Sequence, residues 1–375
     1  MKTPSPSAAA EFSASELRRF ARHLTLPGIG LEGQRRLKQS SVLVLGAGGL
    51  GSPALLYLAA AGVGRLGVVD PDEVSLSNLQ RQVLFDAAQV GQLKTEAARG
   101  RVLALYPECT VETHAEAFTS ANALTLAADY DLILDGTDNF PSRYLASDTG
   151  VWLKKPVIYG SIHRFEGQVS VFAPHLGAPC YRCLFPAPPP PGTVPDCSTA
   201  GVLGVLAGLV GTLQAGEAVK LITGAGTPLL GRMLHADMLG ARFREFKLRR
   251  DPACPVCGEN PSITEPVDYA FFCGVAPVGA GLEMPAAGLE DIRRTHLILD
   301  VREPWEHALL PFTADRWIPW QEVGGQLESL PRDRPILTVC RIGLRSQETA
   351  RLLRRQGHPS AASLRGGLEA LHTEP

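Results

Sequence analysis

A glycine-rich turn constrains the fold of this chain more than any other feature of its sequence. Residues 41–45 form a mainly apolar segment that leads into Gly46-Ala47-Gly48-Gly49-Leu50-Gly51, and a helical pattern follows over residues 52–61. A second apolar segment, residues 65–69, ends on Asp70. Glycines let the backbone approach a phosphate, a helix N-terminus favours negative charge, and an acid about 20 residues further on binds a ribose hydroxyl. The stretch predicts an α/β nucleotide-binding domain, but not which nucleotide, because this pattern is mostly a dinucleotide signature.

Charged side chains after the turn indicate what kind of nucleotide chemistry the chain supports. A polar segment ends in Arg81, Lys94 lies in a helical segment over residues 92–105, and Asp138 follows an apolar strand at residues 131–135. Splitting a triphosphate at its α-phosphate needs several cations to offset charge on the leaving pyrophosphate, whereas an NAD enzyme needs few. A carboxylate at Asp138 suits magnesium. Each of these residues alone is typical of an ordinary surface charge.

The order of these motifs resembles that of one family. G-x-G-G-x-G at residues 46–51, D-x-D-x-V-x-x-S-N-L-x-R-Q at 70–82, G-x-x-K at 91–94 and D-x-x-D-N at 135–139 are similar to the ThiF/MoeB family of ubiquitin-activating-like adenylyltransferases. The resemblance extends from about residue 19 to residue 258 and implies a Rossmann-like α/β adenylation domain with a mixed sheet, which binds ATP and Mg²⁺. The nucleotide-binding residues that it implies are Gly46, Gly48, Gly49, Gly51, Asp70, Ser77, Asn78, Leu79, Gln80, Arg81, Lys94, Asp138 and Asn139.

The resemblance also gives a role to Arg22, on a predicted N-terminal helix. Taken alone, this residue fits a basic surface helix. Family members carry an arginine here that reaches into the nucleotide site of the partner subunit, where a guanidinium would bind phosphate bidentately. The resemblance therefore implies a homodimer with shared sites. The catalytic residues that the resemblance implies for this domain include Arg22, Arg81, Lys94 and Asp138.

Two pairs of cysteines give a second specific signal. Cys180-x-x-Cys183 and Cys254-x-x-Cys257 each present two thiolates at the spacing of a tetrahedral zinc site. The alternatives are four unrelated thiols or two exposed disulfides, which a cytosolic protein rarely keeps. Four ligands leave no open coordination position, so the pairs predict a structural zinc. The family carries a zinc knuckle with similarly separated pairs.

A further cysteine lies at the end of a proline-rich loop between the two pairs. Residues 185–196 hold too many prolines for a helix or a strand, and Cys197 precedes an apolar helical segment at residues 200–222. A thiol near a helix N-terminus tends towards the thiolate, and a small buried residue is an equal alternative. Rhodanese-fused relatives carry a cysteine here that attacks an acyl-adenylate or resolves an acyl disulfide, which implies a catalytic Cys197. Cys109 and Cys273 have no comparable context.

The length of the chain, 375 residues, exceeds that of one ordinary domain. We predict a disordered lead-in over residues 1–15 and the ThiF/MoeB-like domain over residues 16–260. Prolines and glycines without periodicity predict a linker over residues 261–283. A second domain is predicted over residues 284–375.

A cysteine loop characterises this second domain. Residues 335–339 form an apolar strand that ends at Cys340, and a helical pattern covers residues 347–356. Backbone N–H groups in such a loop, with Arg341 and Arg345, would stabilise a thiolate or a persulfide; a packed core cysteine fits this charged loop poorly. C-R-x-G-x-R-S, with D-V-R upstream and R-G-G downstream, resembles a rhodanese domain. The resemblance implies a small α/β fold in which Cys340 carries persulfide sulfur.

Two segments depart from the rhodanese pattern. Residues 309–313 (LLPFT) replace the usual G-H-I-x-G-A segment, and Leu371 stands where an aromatic residue is expected. The departures bear on domain stability and on the choice of sulfur donor more than on the chemistry of the cysteine loop.

Composition argues against several classes of partner. The chain is 45% hydrophobic and 20% charged with a net charge of −2, so it indicates binding neither to nucleic acid nor to an anionic membrane. The N-terminus has no apolar run long enough for a signal peptide. The uncharged stretch at residues 198–216 is interrupted by glycines and Gln214, which suits a buried helix better than a membrane span. We expect a cytoplasmic protein.

The two resemblances together imply a reaction sequence. ATP would adenylylate the C-terminal glycine of a small ubiquitin-like sulfur-carrier protein ending in Gly-Gly (MoaD- or ThiS-like), and a Cys340 persulfide, loaded by a cysteine desulfurase or by thiosulfate, would supply sulfur for a thiocarboxylate. The carrier could serve molybdenum cofactor or thiamine biosynthesis, tRNA thiolation or cysteine synthesis. Three alternatives stay open: an NAD-dependent oxidoreductase, an activator that stops at a Cys197 thioester, and a non-catalytic scaffold.

Overall fold

The computed structural model describes residues 12–189, 201–273 and 282–371, and the chain divides into two compact units, Met1–Gly274 and Val275–Pro375. The first unit contains an eight-stranded sheet and the second a five-stranded sheet. Each unit combines strands with helices around its own hydrophobic core, so the predicted α/β class is confirmed for both.

The first unit alternates helices and strands along most of its length. Its sheet has the order β3-β2-β1-β4-β5-β6-β7-β8. The elements are α1 (Ala14–Arg19), α2 (Ala21–Leu24), α3 (Gly30–Gln39), β1 (Ser41–Leu45), α4 (Gly51–Ala61), β2 (Arg65–Val69), α5 (Lys94–Leu105), β3 (Thr110–His114), α6 (Ala123–Ala128), β4 (Leu132–Asp135), α7 (Phe140–Trp152), β5 (Val157–His163), β6 (Glu166–Phe172), α8 (Tyr181–Leu184), α9 (Gly204–Thr223), β7 (Arg232–Asp237), β8 (Arg242–Lys247) and α10 (Tyr269–Phe272).

The strand order creates a crevice beside β1. Every residue of β1 is buried, as expected for an apolar strand covered on both faces. β1 pairs in parallel with β2 on one side and with β4 on the other. The chain therefore leaves the carboxyl ends of β1 and β4 in opposite directions, which makes the topological switch point where open α/β sheets bind ligands. Pairings from β5 to β8 are antiparallel, so the sheet is mixed, as predicted.

The helix α9 is long and apolar enough to cross a membrane, by length and composition alone. In the first unit it packs against α4, β5 and β6, with Leu206 and Val210 fully buried. The Gln214 side chain donates hydrogen bonds to the carbonyl oxygens of Asp135, at 2.7 Å, and Ile158, at 3.1 Å. These contacts make α9 a core helix that braces the ends of β4 and β5.

Part of the predicted linker belongs to the first unit. Within residues 261–283, the helix α10 packs against α7, and the Tyr269 hydroxyl donates a 2.7 Å hydrogen bond to Asp148. Cys273 is also buried. The prediction of a linker is therefore wrong for residues 261–273, because an anchoring tyrosine in a single helical turn leaves no periodic pattern in the sequence.

The second unit is built on a parallel sheet with the order β11-β10-β12-β13-β9. Both departures from the rhodanese pattern pack into this unit: Leu310 and Phe312 of the replaced segment, and Leu371, lie against one of its two core clusters. The elements are β9 (Glu283–Met284), α11 (Leu289–Thr295), β10 (Leu297–Asp300), α12 (Pro304–Leu309), β11 (Arg316–Trp317), β12 (Ile336–Val339), α13 (Leu344–Arg355) and β13 (Ala362–Leu364).

Candidate functional site

The glycine turn has the geometry that close approach to a phosphate requires. Gly46 has a φ of +84°, which L side chains rarely adopt. A Cβ atom on Gly51 would lie 1.9 Å from the carbonyl oxygen of Gly46, so only glycine lets the start of α4 pack against the turn. Gly48 and Gly49 line a cleft at the carboxyl ends of the parallel strands. The turn thus presents its backbone to the cleft.

The cleft has a volume of about 430 Å³, and the predicted residues that line it come from four separate stretches of sequence. Each stretch either follows a strand of the parallel half of the sheet or begins the next helix. The carboxyl ends of parallel strands lie at the same edge of the sheet, so these residues come close together. The predicted nucleotide-binding residues that line the cleft are Gly46, Gly48, Gly49, Asp70, Asn78, Arg81, Lys94, Asp138 and Asn139.

Asp70 and Lys94 form a buried charged pair at one side of the cleft. The Asp70 carboxylate is 4% exposed and accepts hydrogen bonds from the backbone N–H groups of Ala47, at 2.8 Å, and Asp72, at 2.9 Å. Lys94 Nζ lies 3.8 Å from Asp70 and donates a 2.7 Å hydrogen bond to the Asp72 carboxylate. Burial raises the pKa of Asp70, and the Lys94 ammonium opposes this rise.

Asp138 and Asp135 occupy contrasting positions in the same loop. Asp135 is buried and accepts hydrogen bonds from the backbone N–H of Thr137, at 3.0 Å, and from its hydroxyl, at 2.6 Å; burial raises the pKa of Asp135. Asp138 is exposed on the cleft lining. Within the described ranges, no hydrogen bond or ion pair engages its side chain. Its oxygens are therefore available to a cation.

Four of the predicted nucleotide-binding residues lie outside the cleft lining: Gly51, Ser77, Leu79 and Gln80. Leu79 packs against the core, and Gln80 donates a hydrogen bond to a backbone carbonyl at 3.4 Å. Residues 76–78 form one 3₁₀ turn, which directs consecutive side chains to different sides. Of this segment, Asn78 and Arg81 face the cleft.

One predicted catalytic residue of the first unit stands apart from the cleft. Arg22 is exposed on α2 and does not line the cleft of its own chain. Cys197 lies outside the described residues. A shared site that Arg22 would complete in a homodimer stays a prediction.

The cleft also contains residues that the sequence analysis did not single out: Asp72, Gln82, Ala117, Phe118, Thr137, Ser142 and Arg143. Arg143 had a local signal, because it lies one helical turn after Asn139, which caps α7 by accepting a 2.9 Å hydrogen bond from the Ser142 N–H. Phe118 had none, since it belongs to the connection after β3, which carries no motif.

The four paired cysteines converge on one point, as predicted. Their sulfur atoms all lie within 4.8 Å of one another, with separations of 3.7 Å (Cys180 to Cys183), 3.5 Å (Cys180 to Cys254) and 3.4 Å (Cys183 to Cys257). A tetrahedral zinc with bonds of about 2.3 Å to four thiolates separates its sulfur ligands by about 3.8 Å. The donor set and its spacing therefore fit zinc, and four ligands leave no position for a substrate.

A buried arginine anchors the first cysteine pair to the core. Arg182, between the two cysteines of the pair, is 1% exposed and forms an ion pair with Asp148 at 2.9 Å. Its guanidinium also lies 4.9 Å from the Tyr144 ring and 4.3 Å from the Phe272 ring. The same Asp148 accepts the hydrogen bond from Tyr269, so one carboxylate ties together α7, α8 and α10.

In the second unit, the Cys340 sulfur lies in a cradle of hydrogen-bond donors. The backbone N–H groups of Gly343 and Ser346 donate to Sγ at 3.2 and 3.4 Å, as predicted for this loop. Gly343 has a φ of +94°, and a Cβ on Gly367 would lie 2.4 Å from the Arg341 carbonyl oxygen. The glycines therefore permit the tight contact between the cysteine loop and the R-G-G turn.

The two arginines of the cysteine loop, which the sequence analysis expected to stabilise a thiolate or a persulfide at Cys340, are themselves paired with carboxylates. Arg345 forms an ion pair with the buried Glu306 of α12, and Arg341 lies 3.6 Å from Glu369. Burial opposes ionisation of Glu306, but hydrogen bonds from Arg345 and from the Glu303 N–H outweigh it and lower the pKa of Glu306. Within the described residues, the hydrogen-bond contacts of Sγ are the two backbone N–H groups and the Ser346 hydroxyl, whose oxygen lies at 3.4 Å.

Comparison with known proteins gives a family match for each of the two units. Residues 20–256 match the ThiF family, and residues 286–374 match the rhodanese-like domain. The first match spans more than half of the chain, so the chain belongs to the ThiF family, with a rhodanese-like domain at its C-terminal end.

Two relatives that match nearly the whole chain carry names that describe two activities, and a shorter relative carries a name that describes the first activity alone. The probable adenylyltransferase/sulfurtransferase MoeZ of Mycobacterium tuberculosis is 44% identical over 375 residues, covering 96% of this chain and 94% of that protein. The adenylyltransferase and sulfurtransferase MOCS3-1 of Zea mays is 43% identical over 382 residues, covering 95% and 81%. The sulfur carrier protein adenylyltransferase of Thermus thermophilus is 53% identical over 268 residues, covering 70% of this chain and 99% of that protein.

Solved structures agree with the fold of the first unit. Escherichia coli MccB in complex with ATP has a TM-score of 0.56 and 22% identity, covering 68% of this chain and 77% of that chain. PaaA has a TM-score of 0.53 and 28% identity, covering 63% and 75%. At these identities, the likeness to MccB supports the fold alone.

Proposed function

We propose that this protein uses ATP to adenylylate the C-terminal glycine of a small ubiquitin-like sulfur-carrier protein, and then transfers sulfur to the activated glycine from a Cys340 persulfide. One observation carries the proposal: the glycine turn, Arg81, Lys94 and Asp138 meet in one cleft, in a chain that also holds a cysteine cradle. The names of its adenylyltransferase and sulfurtransferase relatives support it.

The first step is positioning and charge compensation. The glycine turn and the N-terminus of α4 receive phosphate groups, and Asp70 accepts from the ribose. A carboxylate oxygen of the carrier attacks the α-phosphorus, the bond to the bridging oxygen breaks, and pyrophosphate leaves with the electron pair. Arg81 and Lys94 offset the charge that develops on pyrophosphate.

Two metal ions fit the residues present. Asp138, an exposed carboxylate in the cleft, would hold Mg²⁺, which supplies charge neutralisation on the triphosphate. Zinc would be held by Cys180, Cys183, Cys254 and Cys257 and would have a structural role.

The second step is an exchange of sulfur at the activated carbonyl. The terminal sulfur of the Cys340 persulfide attacks the carbonyl carbon of the acyl-adenylate, and AMP leaves. A second thiol, for which we propose Cys197, then attacks Cys340 Sγ, which releases the thiocarboxylate and leaves a Cys197–Cys340 disulfide. A thiol reductant must reduce this disulfide before the next cycle. The persulfide itself would come from a cysteine desulfurase or from thiosulfate.

The assembly and location complete the proposal. The exposed position of Arg22, away from the cleft of its own chain, supports a homodimer in which it reaches the partner's nucleotide. We place the enzyme in the cytoplasm. The pathway, whether molybdenum cofactor or thiamine biosynthesis, tRNA thiolation or cysteine synthesis, follows from which carrier it accepts.

Exchange of labelled pyrophosphate into ATP, measured with a panel of β-grasp carriers ending in Gly-Gly, tests the proposal. Exchange that depends on one carrier and on its terminal glycine is the expected result. A protein that shows no exchange with any carrier would be a scaffold, and one that binds NAD in preference to ATP would be an oxidoreductase. A stable Cys197 thioester without thiocarboxylate would identify a conjugating activator.

A further inference from the structure

Arg143 lines the nucleotide cleft and is a buried cation that has no ion-pair partner in the part of the chain that the structure describes. The residue is 9% exposed, and its fully buried Nε atom has no hydrogen-bond acceptor among the described residues. Across residues 12–189, 201–273 and 282–371, no carboxylate lies within the 4.0 Å ion-pair distance of its nitrogens. An arginine stays protonated, and a buried unpaired charge is costly. The position therefore favours an anion that is not part of the chain.

A second buried arginine shows how the same unit treats a purely structural guanidinium. Arg182 is 1% exposed, and both its Nε and its terminal nitrogen contact Asp148 within 3.1 Å. Among the described residues Arg143 has no such partner, and Asp135 and Asp138 act on it only through longer-range electrostatics. Its guanidinium is flanked instead by the rings of Phe140, at 5.7 Å, and Tyr159, at 5.9 Å. Aromatic side chains limit access of water and strengthen any charged contact made there.

We infer that Arg143 binds the C-terminal carboxylate of the carrier protein, an inference that rests on the function proposed above. The glycine turn, Arg81 and Lys94 already supply donors for phosphate on the β1–β2 side of the cleft. Arg143 and Tyr159 belong to the β4–β5 side. A planar guanidinium matches the two oxygens of a carboxylate, and it neutralises the charge that would otherwise repel this group from the triphosphate.

The assignment gives Arg143 a defined part in adenylylation. The guanidinium holds one carboxylate oxygen and leaves the other free to form the bond to the α-phosphorus. As pyrophosphate leaves, the carboxylate becomes a neutral acyl group in the mixed anhydride, and its attraction to Arg143 weakens. Arg143 is therefore a catalytic residue that contacts the carrier and not the nucleotide phosphates.

The test compares binding of two forms of the carrier that supports exchange, one ending in a free glycine carboxylate and one ending in glycine amide. Affinities are measured by calorimetry with a non-hydrolysable ATP analogue and Mg²⁺ present, using the full-length wild-type protein, Arg143→Gln and Arg143→Lys. Arg99→Gln, at an exposed arginine outside the cleft, is the matched control for charge. Thermal unfolding and affinity for the ATP analogue alone are measured for each variant.

Wild-type protein and Arg99→Gln are expected to bind the acid about tenfold more tightly than the amide, because the amide loses a charge-assisted pair. Arg143→Gln is expected to bind both forms equally, with unchanged affinity for the ATP analogue, and Arg143→Lys to retain part of the preference. Persistence of the acid preference in Arg143→Gln, or loss of nucleotide affinity in both variants, overturns the inference while leaving the proposed function intact. Failure of the wild-type protein to support exchange with any carrier overturns the proposed function and this inference together.

Discussion

Two of the three cations that line the cleft, Lys94 and Arg81, differ in how firmly the chain holds them. Lys94 is buried and contacts the carboxylates of Asp70 and Asp72, so its position is fixed before a nucleotide arrives. Arg81 is half-buried, and among the described residues its guanidinium has a single long hydrogen bond, 3.3 Å to the Ser77 carbonyl oxygen. Arg81 is therefore the cation that is freer to move onto a leaving pyrophosphate.

Replacing Arg81 by alanine should lower the rate of carrier-dependent pyrophosphate exchange roughly 100-fold, because charge developing on the leaving group loses a positioned donor. The fold should be unaffected, since the side chain makes one weak internal contact. Stopped-flow or steady-state exchange measurements with Arg81→Ala and the control Arg99→Gln check this. An Arg81→Ala rate equal to that of the control would contradict the assigned role.

Replacing Cys340 by serine should separate the two activities. Serine keeps the size of the side chain but cannot carry a persulfide, so release of carrier thiocarboxylate should be lost. Pyrophosphate exchange should proceed at the wild-type rate, because Cys340 belongs to the second unit. Mass spectrometry of the carrier, with exchange measured on the same samples, provides both readouts. Thiocarboxylate formed at the wild-type rate by Cys340→Ser would exclude the fused sulfur donor.

Residues within compact motifs were predictable from the sequence, and residues that meet only in the fold were not. The spacing of Cys180 and Cys183 identifies a ligand pair locally, and the position of Asp70 after a strand fixes it beside the turn. The missing partner of Arg143 becomes visible only when every neighbouring element is in place. The ion pair between Arg345 and Glu306 likewise joins residues that lie far apart in the sequence.

At the scale of elements, α12 holds the cysteine loop through one side chain. Glu306, 1% exposed, accepts a 2.8 Å hydrogen bond from the Glu303 N–H and so caps its own helix. Its other oxygen pairs with Arg345, at the start of α13. The N-termini of α12 and α13 are therefore tied together beside Cys340.

The lowered pKa of Glu306 makes this connection dependent on pH. A carboxyl group with a depressed pKa in the folded state contributes stability above its ordinary pKa of about 4.3, and the contribution is lost as pH falls through the folded value. Glu306→Gln should destabilise the second unit by about 2 kcal/mol at neutral pH, and the difference from wild type should shrink below about pH 4. Denaturant unfolding between pH 3 and pH 7 measures it.

Glu328→Gln, at an exposed glutamate, serves as the control for Glu306→Gln. It should leave the free energy of unfolding nearly unchanged across the same range of pH. If the free energies of unfolding of Glu306→Gln and wild type differed by the same amount from pH 7 to pH 3, the ionised carboxylate would contribute nothing to stability.

Strands and helices with strong patterns were predicted closely, whereas short edge elements were missed. The predicted segments at residues 41–45 and 65–69 coincide with β1 and β2, since buried apolar strands between glycines leave a clear signal. β3 (Thr110–His114) carries polar residues at an edge of the sheet and was not predicted. β9 and β11 have two residues each, and sheet pairing alone defines them.

At the scale of the whole molecule, the proposed homodimer predicts complementation between two inactive variants. If Arg22 serves the partner's nucleotide, a dimer of one Arg22→Ala chain and one Arg81→Ala chain has one complete site. A mixture of equal amounts, after subunit exchange, should recover about one quarter of the wild-type exchange activity, because half of the dimers are mixed and each has one working site. Activity that stays at the level of the separate variants would indicate that Arg22 acts within its own chain or not at all.

Loss of the zinc site should affect the two units differently. Cys254→Ser removes one of four ligands, so zinc content should fall from about one ion per chain, and the unfolding temperature of the first unit should fall by about 10 °C. Unfolding of the second unit, which has its own core, should not change. Calorimetry with metal analysis of the same samples checks both effects; a single transition that shifts as a whole would contradict the separation of the units.

The separation of the two cysteine pairs along the chain has a consequence for biosynthesis. Cys254 follows Cys180 after 74 residues, so the first cysteine pair leaves the ribosome well before the second pair. The metal can gain its full set of ligands once Cys257 has emerged, and most residues of the second unit, which begins at Val275, are translated after that point. The first unit can therefore complete its zinc site and fold while the second unit is still being synthesised.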